Sequence, residues 1–257
     1  MRGWRLPATG LAAVTLVALG AVAGEITSDD PAELFVSASQ AYESGDYALS
    51  IDRYRDLLAL GLSSGHLHYD LGNAYLRNGE LGQAIASYLR ARRQLPRDED
   101  VRANLTFARK STKDALQPPE PSAVASTLFF WHYSFSPREI ATAAVALNAL
   151  LWLCLAVRLR RPGSESFRWV AVGLLLPLLA LSGSLVVRAV MPVRTAVVIP
   201  QEVGATTAPE DESVVRFNLH AGTEVRVRAS REEWVRVVLP HGEQGWLRRE
   251  WVELIDR

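Results

Sequence analysis

The residues able to do chemistry in this chain are few and badly placed for catalysis. Of five histidines, His66 and His68 stand two apart, so on a helix they point in different directions and make a poor metal pair. His132, His220 and His241 are scattered. Asp29-Asp30 and Asp98-Glu99-Asp100 sit where helices should begin, and there acidic residues complement the helix dipole. No Gly-rich phosphate loop, Gly-x-Ser-x-Gly elbow or His-Glu-x-x-His helix occurs. Cys154 is the single cysteine, which excludes an intramolecular disulfide and a thiolate metal cage. Inside an apolar run it reads as a small hydrophobe. The sequence therefore predicts no enzyme, no catalytic residue, no cofactor and no metal. What remains is recognition chemistry, carried by aromatic, amide and guanidinium side chains. What those groups face depends on the elements that carry them.

The first of these elements show in an echo. Gly45-Asp46-Tyr47 is answered by Gly79-Glu80-Leu81, and Tyr54 by Tyr88, each 34 positions later. This spacing resembles the tetratricopeptide repeat (TPR), a helix-turn-helix unit that stacks to bury its apolar faces. In a unit spanning 65–98, Leu71, Gly72, Tyr75, Ala84, Tyr88, Ala91 and Pro96 fall on the family's signature positions. A unit spanning 31–64 keeps Leu34, Ala38 and Tyr54 but has Ser37 opposite Leu71, and Ser50 and Leu62 where Ala and Pro are usual. A third helix from Glu99, with Leu105 in the place of Leu71, caps a domain bounded at 29–113. The resemblance implies a concave face lined by the first helix of each unit: Phe35, Ser39, Tyr42 and Glu43, then His66, Tyr69, Asn73, Leu76 and Arg77. That face either binds a protein partner or is an ordinary polar surface. The basic companions with which some TPRs grip a C-terminal carboxylate are not evident beside Asn73, so no carboxylate clamp is expected.

Hydrophobic residues make up 49% of the 257 positions, and 28 basic residues balance 28 acidic ones. Neutrality argues against nucleic acid as a partner, since such proteins carry a basic stripe. Residues 1–24 read as a secretory signal, with Arg2 and Arg5 ahead of a short apolar stretch and a small-x-small site at Ala21-Val22-Ala23. The alternative is an uncleaved anchor. Residues 140–157 and 169–187 carry no charge and approach the ~20 residues that a membrane span needs. They predict a transmembrane hairpin over 137–190, the alternative being two buried core helices. Asn148, Pro177 and Ser182-Gly183-Ser184 interrupt the apolar pattern, as is tolerated where helices pack in lipid. Arg158, Arg160, Arg161 and Arg168 crowd the connecting loop, against Arg138, Arg188 and Arg194 on the two flanks. The excess places the loop in the cytoplasm and both soluble domains outside it. A linker over 114–136 holds interfacial aromatics from Phe129 to Tyr133, and Ser136-Pro137 reads as a helix start.

From residue 193 to 257 the pattern turns to alternation punctuated by Gly222, Pro240, Gly242 and Gly245, which predicts short strands in a small barrel. Leu219 to Val225, Glu233 to Val237 and Gly242 to Leu247 resemble the bacterial SH3 pattern of a Gly-Thr turn, a Trp-led valine strand and a Gly-Trp closing strand. That family's link to cell-wall or peptide recognition makes Trp251 the expected exposed ligand residue, with Trp234 and Trp246 filling the core. The fold class is thus multidomain α and β: a helical TPR stack, a two-helix membrane hairpin and an SH3-like β-barrel. The order of parts resembles the BatE-type TPR protein of the Bat aerotolerance group. The resemblance implies a bacterial inner-membrane adaptor with both soluble domains periplasmic. Its implied partners are von Willebrand factor A membrane proteins and a MoxR-type AAA+ ATPase system. The other reading is a binder of the cell wall, peptidoglycan or peptide, acting through the SH3-like domain.

Overall fold

The computed structural model of the chain describes residues 30–114, 116, 122–160 and 165–255. The expected signal segment lies outside these residues. Five helices form the N-terminal stack: α1 (Pro31–Ser44), α2 (Tyr47–Ala59), α3 (Gly65–Arg77), α4 (Leu81–Gln94) and α5 (Glu99–Lys110). Their starts are set by side chains that accept from orphan backbone amides. Asp30 receives Ala32 N, Asp46 receives Leu49 N, Ser64 receives Leu67 N and Asp98 receives Val101 N, all at 2.9–3.1 Å. The stops explain the echo. Gly45 and Gly79 both take left-handed backbone (φ 84° and 82°), and the next amide reaches back, Asp46 to Ala41 O and Glu80 to Tyr75 O, each at 2.9 Å. The same glycine-dependent helix stop is used twice. Leu34, Ala38, Ile51, Tyr54 and Leu57 pack with Leu67, Leu71 and Ala74. Ala84, Ile85, Tyr88 and Leu89 pack with Leu105 and Ala108. Gly72 is small because a Cβ there would stand 2.7 Å from the Tyr88 ring.

Two short helices, α6 (Ala123–Leu128) and α7 (Phe130–Ser134), lead into α8 (Pro137–Arg160) and α9 (Glu165–Val190). Ser136 opens α8 by a reciprocal capping box: Glu139 N donates to Ser136 Oγ at 3.2 Å and Ser136 N to Glu139 Oε2 at 2.8 Å. At ~1.5 Å per residue, α8 and α9 run to about 36 and 39 Å. Both are long and apolar enough to cross a membrane. They pack on each other, while Trp152, Leu153, Trp169, Leu176 and Leu179 face outward. Core helices would hide such side chains, and within this chain these two do not. Among the residues expected between the helices, Ser184 is buried and bonds the His132 imidazole at 2.7 Å. Asn148 and Pro177 are exposed instead, and a Cβ on Gly183 would meet nothing within 4 Å.

The C-terminal region is one antiparallel sheet of seven short strands: β1 (Thr195–Val198), β2 (Glu202–Thr206), β3 (Val215–His220), β4 (Glu224–Arg231), β5 (Trp234–Val238), β6 (Gln244–Arg248) and β7 (Val252–Leu254). The order β3-β2-β6-β5-β4-β1-β7 leaves β3 and β7 as edges, so the expected barrel does not close. Side chains from β1 to β7 still share one core, including Ala196, Val198, Leu219, Val235, Val237 and Leu247. The tryptophans reverse their expected roles. Val235 and Val237 point inward, so Trp234, one residue away, must point out; Trp246 does the same beside Gly245 and Leu247. They lie half-buried under the guanidiniums of Arg248 and Arg231, at 5.2 and 5.6 Å. Trp251 instead packs against the core.

Candidate partner-binding groove and the docked sheet

The first helices of the two units, α1 and α3, carry the residues expected on the concave face, with α5 next in line, and the structure divides those residues into two sets. In the first set the polar groups satisfy one another. Tyr88 Oη donates to Asn73 Oδ1 at 2.7 Å, and Asn104 Nδ2 reaches both Asn73 Oδ1 (2.9 Å) and Tyr69 Oη (3.1 Å). Burial raises the Tyr88 phenol well above its ordinary range, which keeps it a donor. Asn73 and Tyr69 are therefore structural ties between units as well as groove residues, and Leu76 packs against the same core. In the second set the side chains stay accessible. Phe35 is 41% exposed and meets the Tyr54 ring edge-on. Arg77 donates to Tyr47 Oη at 2.7 Å and lies over that ring, which Tyr42 also contacts edge-on.

Shifting the first network back by the repeat period exposes a residue that sequence reasoning passed over. Asn104, Asn73, Tyr69 and Tyr88 become Asp70, Ser39, Phe35 and Tyr54. Ser39 and Tyr54 still bond, at 3.3 Å. Serine is too short to reach across as Asn73 does, and Phe35 has no hydroxyl. Asp70 consequently has neither hydrogen bond nor salt bridge among the described residues, although it is half-buried. Burial raises its carboxyl above the ordinary range, with His66 opposing. The groove thus has one closed network and, one repeat earlier, an open one centred on a carboxylate.

The other face of the stack is occupied by the sheet. β1 is buried on both sides, Ala196 and Val198 in the sheet core and Val197 against Ile85, Tyr88 and Leu105. Ile255 joins it. This is why the strand reads as a continuous apolar run. The backbones come close: a Cβ on Gly82 in α4 would stand 2.6 Å from Val198 O. Gly222 (φ 90°) has room for no side chain against Ile85 and Thr112. Polar ties surround the contact. Arg109 grips the buried Glu224 with two bonds, Nε–Oε1 2.6 Å and Nη2–Oε2 2.9 Å. Arg90 holds Glu253 and Leu254 O at 2.5 and 2.7 Å. Asp114 accepts from the Thr223 hydroxyl, His220 N and His220 Nδ1 at 2.5–2.8 Å, while Lys113 Nζ donates to His220 Nε2 at 2.8 Å. Burial opposes the charge on Asp114, but these three donors outweigh it and lower its carboxyl below the usual range. Arg97 joins the stack to the hairpin through Glu139 (2.5 Å) and the Phe135 ring.

No group of three or more His, Cys, Asp or Glu side chains able to hold a metal occurs among the described residues. His68 is buried, with Nε2 on Ser63 Oγ at 3.0 Å and Nδ1 without a partner. Burial, with Arg90 nearby, lowers it to about 4, so it is a neutral core residue at ordinary pH.

Residues 36–99 match the tetratricopeptide repeat family model, covering most of α1 through the first residue of α5. That repeat is a non-catalytic scaffold for protein partners. None of the curated proteins compared with the chain matches it.

Proposed function

We propose that the protein is a membrane-anchored, non-enzymatic adaptor. In this reading the groove of α1, α3 and α5 holds a partner protein, and a lysine or arginine of that partner sits on Asp70. The open half of the inter-unit network carries the reading. A half-buried carboxylate without a hydrogen bond or salt bridge, near the Tyr42 and Tyr54 hydroxyls, matches a cation presented on an extended segment. The outward apolar surfaces of α8 and α9 support anchoring, because leucine and tryptophan in that density are stable in hydrocarbon. The arginine-rich loop and the secretory-type N-terminus support placement of stack and sheet outside the cytoplasm of a bacterium. The order of parts supports a role beside von Willebrand factor A membrane proteins and a MoxR-type ATPase in an aerotolerance or stress system.

A photo-crosslinking side chain at Phe35, in intact membranes, tests the groove. The expected result is a discrete partner adduct that disappears with Asp70→Asn and persists with Arg102→Gln, an exposed change elsewhere. An adduct of unchanged yield in Asp70→Asn overturns the assignment. Reporter fusions at Lys113 and at residue 163 test the topology, with an outside signal expected only at Lys113.

One observation favours a second reading, cell-wall binding by an SH3-like sheet. Trp234 and Trp246 share an outer face with Arg231, Arg236 and Arg248, which suits stacking on a sugar or peptide. Co-sedimentation of the full chain with peptidoglycan, lost on Trp246→Ala, is its expected signature, and failure to co-sediment excludes it.

A further inference from the structure

A cleft of about 920 Å³ opens where the stack, the sheet and the hairpin meet. Among the described residues its walls hold six basic side chains and two carboxylates. Both carboxylates are already engaged, Glu224 by Arg109 and Asp114 by His220 and Thr223. Lys110 on α5 and Arg226 on β4 are exposed into the cleft and make no hydrogen bond or ion pair among the described residues. Arg188, in the last turn of α9, donates to the carbonyls of His132 and Phe135. Lys110 and Arg226 thus bring two unpaired cations into one cleft, where an anion between them would be favourable.

The position of the cleft says which anion. Tyr133 and Phe135 wall it, immediately before α8 begins at Pro137, and Arg188 stands where α9 ends. If the hairpin spans the bilayer, these residues lie at headgroup level. Cavities of about 300–1,000 Å³ are the size that holds a small organic ligand, and here Leu89, Leu116 and Val193 add an apolar wall beside the basic one. We infer that this cleft binds the phosphate of an anionic phospholipid, with Lys110 and Arg226 on the headgroup oxygens and the acyl chains leaving along α9. The inference rests on the membrane-anchored part of the proposed function. The shared chemistry is a phosphate oxyanion, which a free phosphate could also supply.

The test uses the full chain extracted from membranes in mild detergent, with native mass spectrometry counting retained lipid. Reconstitution follows in phosphatidylcholine discs with and without phosphatidylglycerol. A basic residue near an anionic lipid surface contributes roughly fivefold in binding, so Lys110→Gln with Arg226→Gln should lower retained phosphatidylglycerol about 25-fold. Arg102→Gln should leave it unchanged, and the unfolding midpoint of the double variant in phosphatidylcholine should not fall below that of the parent. Equal retention of phosphatidylcholine and phosphatidylglycerol by the parent, or unchanged retention by the double variant, overturns the inference. Displacement of the lipid by equimolar inorganic phosphate overturns the lipid as the source. Alkaline carbonate extraction separates the two failures: release into the supernatant refutes the membrane anchor itself, whereas retention confines the failure to the cleft.

Discussion

Replacing Arg109 by methionine should undock the sheet from the helical stack. Glu224 is buried, its side chain 5% exposed, and both its oxygens are taken by the Arg109 guanidinium. Removing the arginine leaves a buried carboxylate without a counter-charge, which costs about 3–5 kcal/mol. The reverse change is milder. Arg109 is 27% exposed, so in Glu224→Gln it turns to water, and the loss should be that of ordinary charge-assisted bonds, about 1.5–3 kcal/mol. Replacing both, as Arg109→Met with Glu224→Leu, should restore most of the stability, because apolar groups of similar volume substitute for a buried pair at little cost. Hydrogen exchange of β1 amides in the detergent-solubilised chain reads this directly. A loss of about 3 kcal/mol is roughly a 150-fold fall in protection. If Arg109→Met changes β1 protection less than about threefold, or if the two single effects simply add, the pair does not hold the interface and the reasoning is wrong.

Three other outcomes follow from the same packing. His68 is neutral in the fold and its folded value lies below the unfolded one of 6.5, so its contribution is complete above about pH 6.5 and is lost as pH falls toward 4. The deficit at pH 5 is about 2 kcal/mol; denaturation curves of the parent and His68→Leu should converge above neutrality and separate in acid, and parallel curves would refute this. Gly82→Ala would gain about 1 kcal/mol in an open helix, but against Val198 O it should instead lose about 1–3 kcal/mol; Gly173→Ala, inside α9 with nothing within 4 Å, should keep that gain, and equal unfolding midpoints for the two would contradict the contact. Ser50 is fully buried with an unbonded hydroxyl where the second unit has Ala84, so Ser50→Ala should raise stability by about 1 kcal/mol, and a lower midpoint would show a missed hydrogen bond.

What could be read from the chain was whatever is encoded locally. Helix ends in the stack follow from caps and from Gly45 and Gly79, each acting within a few residues. The hairpin follows from composition, and the strands from alternation. The docking of sheet on stack escaped because Arg109 and Glu224 are 115 positions apart, and Arg90 and Glu253 are 163. Pairings at such distances leave no periodic trace. Two local signs did exist: the unalternating Ala196-Val197-Val198 run, which marks a strand buried on both faces, and Gly82 inside a helix. The tryptophans were misassigned for a different reason. Their size suggested the core, but the parity of Val235 and Val237 already placed Trp234 on the opposite face. Asp70 was legible only as the image of Asn104 one period away, and its openness only from the bonds that Asn104 makes.

The strand buried on both faces has a consequence for how the molecule is made. α4 and α5 are synthesised well before the hairpin, and β1 follows it. Until Val197 and Ile255 arrive, the apolar side of α4 around Ile85 has no cover. The stack therefore waits, incompletely shielded, while four further helices, α6 to α9, emerge and reach their places. A ribosome that stalls within the hairpin releases a product whose first domain has its helices yet displays the greasy seam that chaperones and proteases recognise. The late strand thus marks completion: it hides that seam only when the helices before it have been made and the chain has returned to the stack.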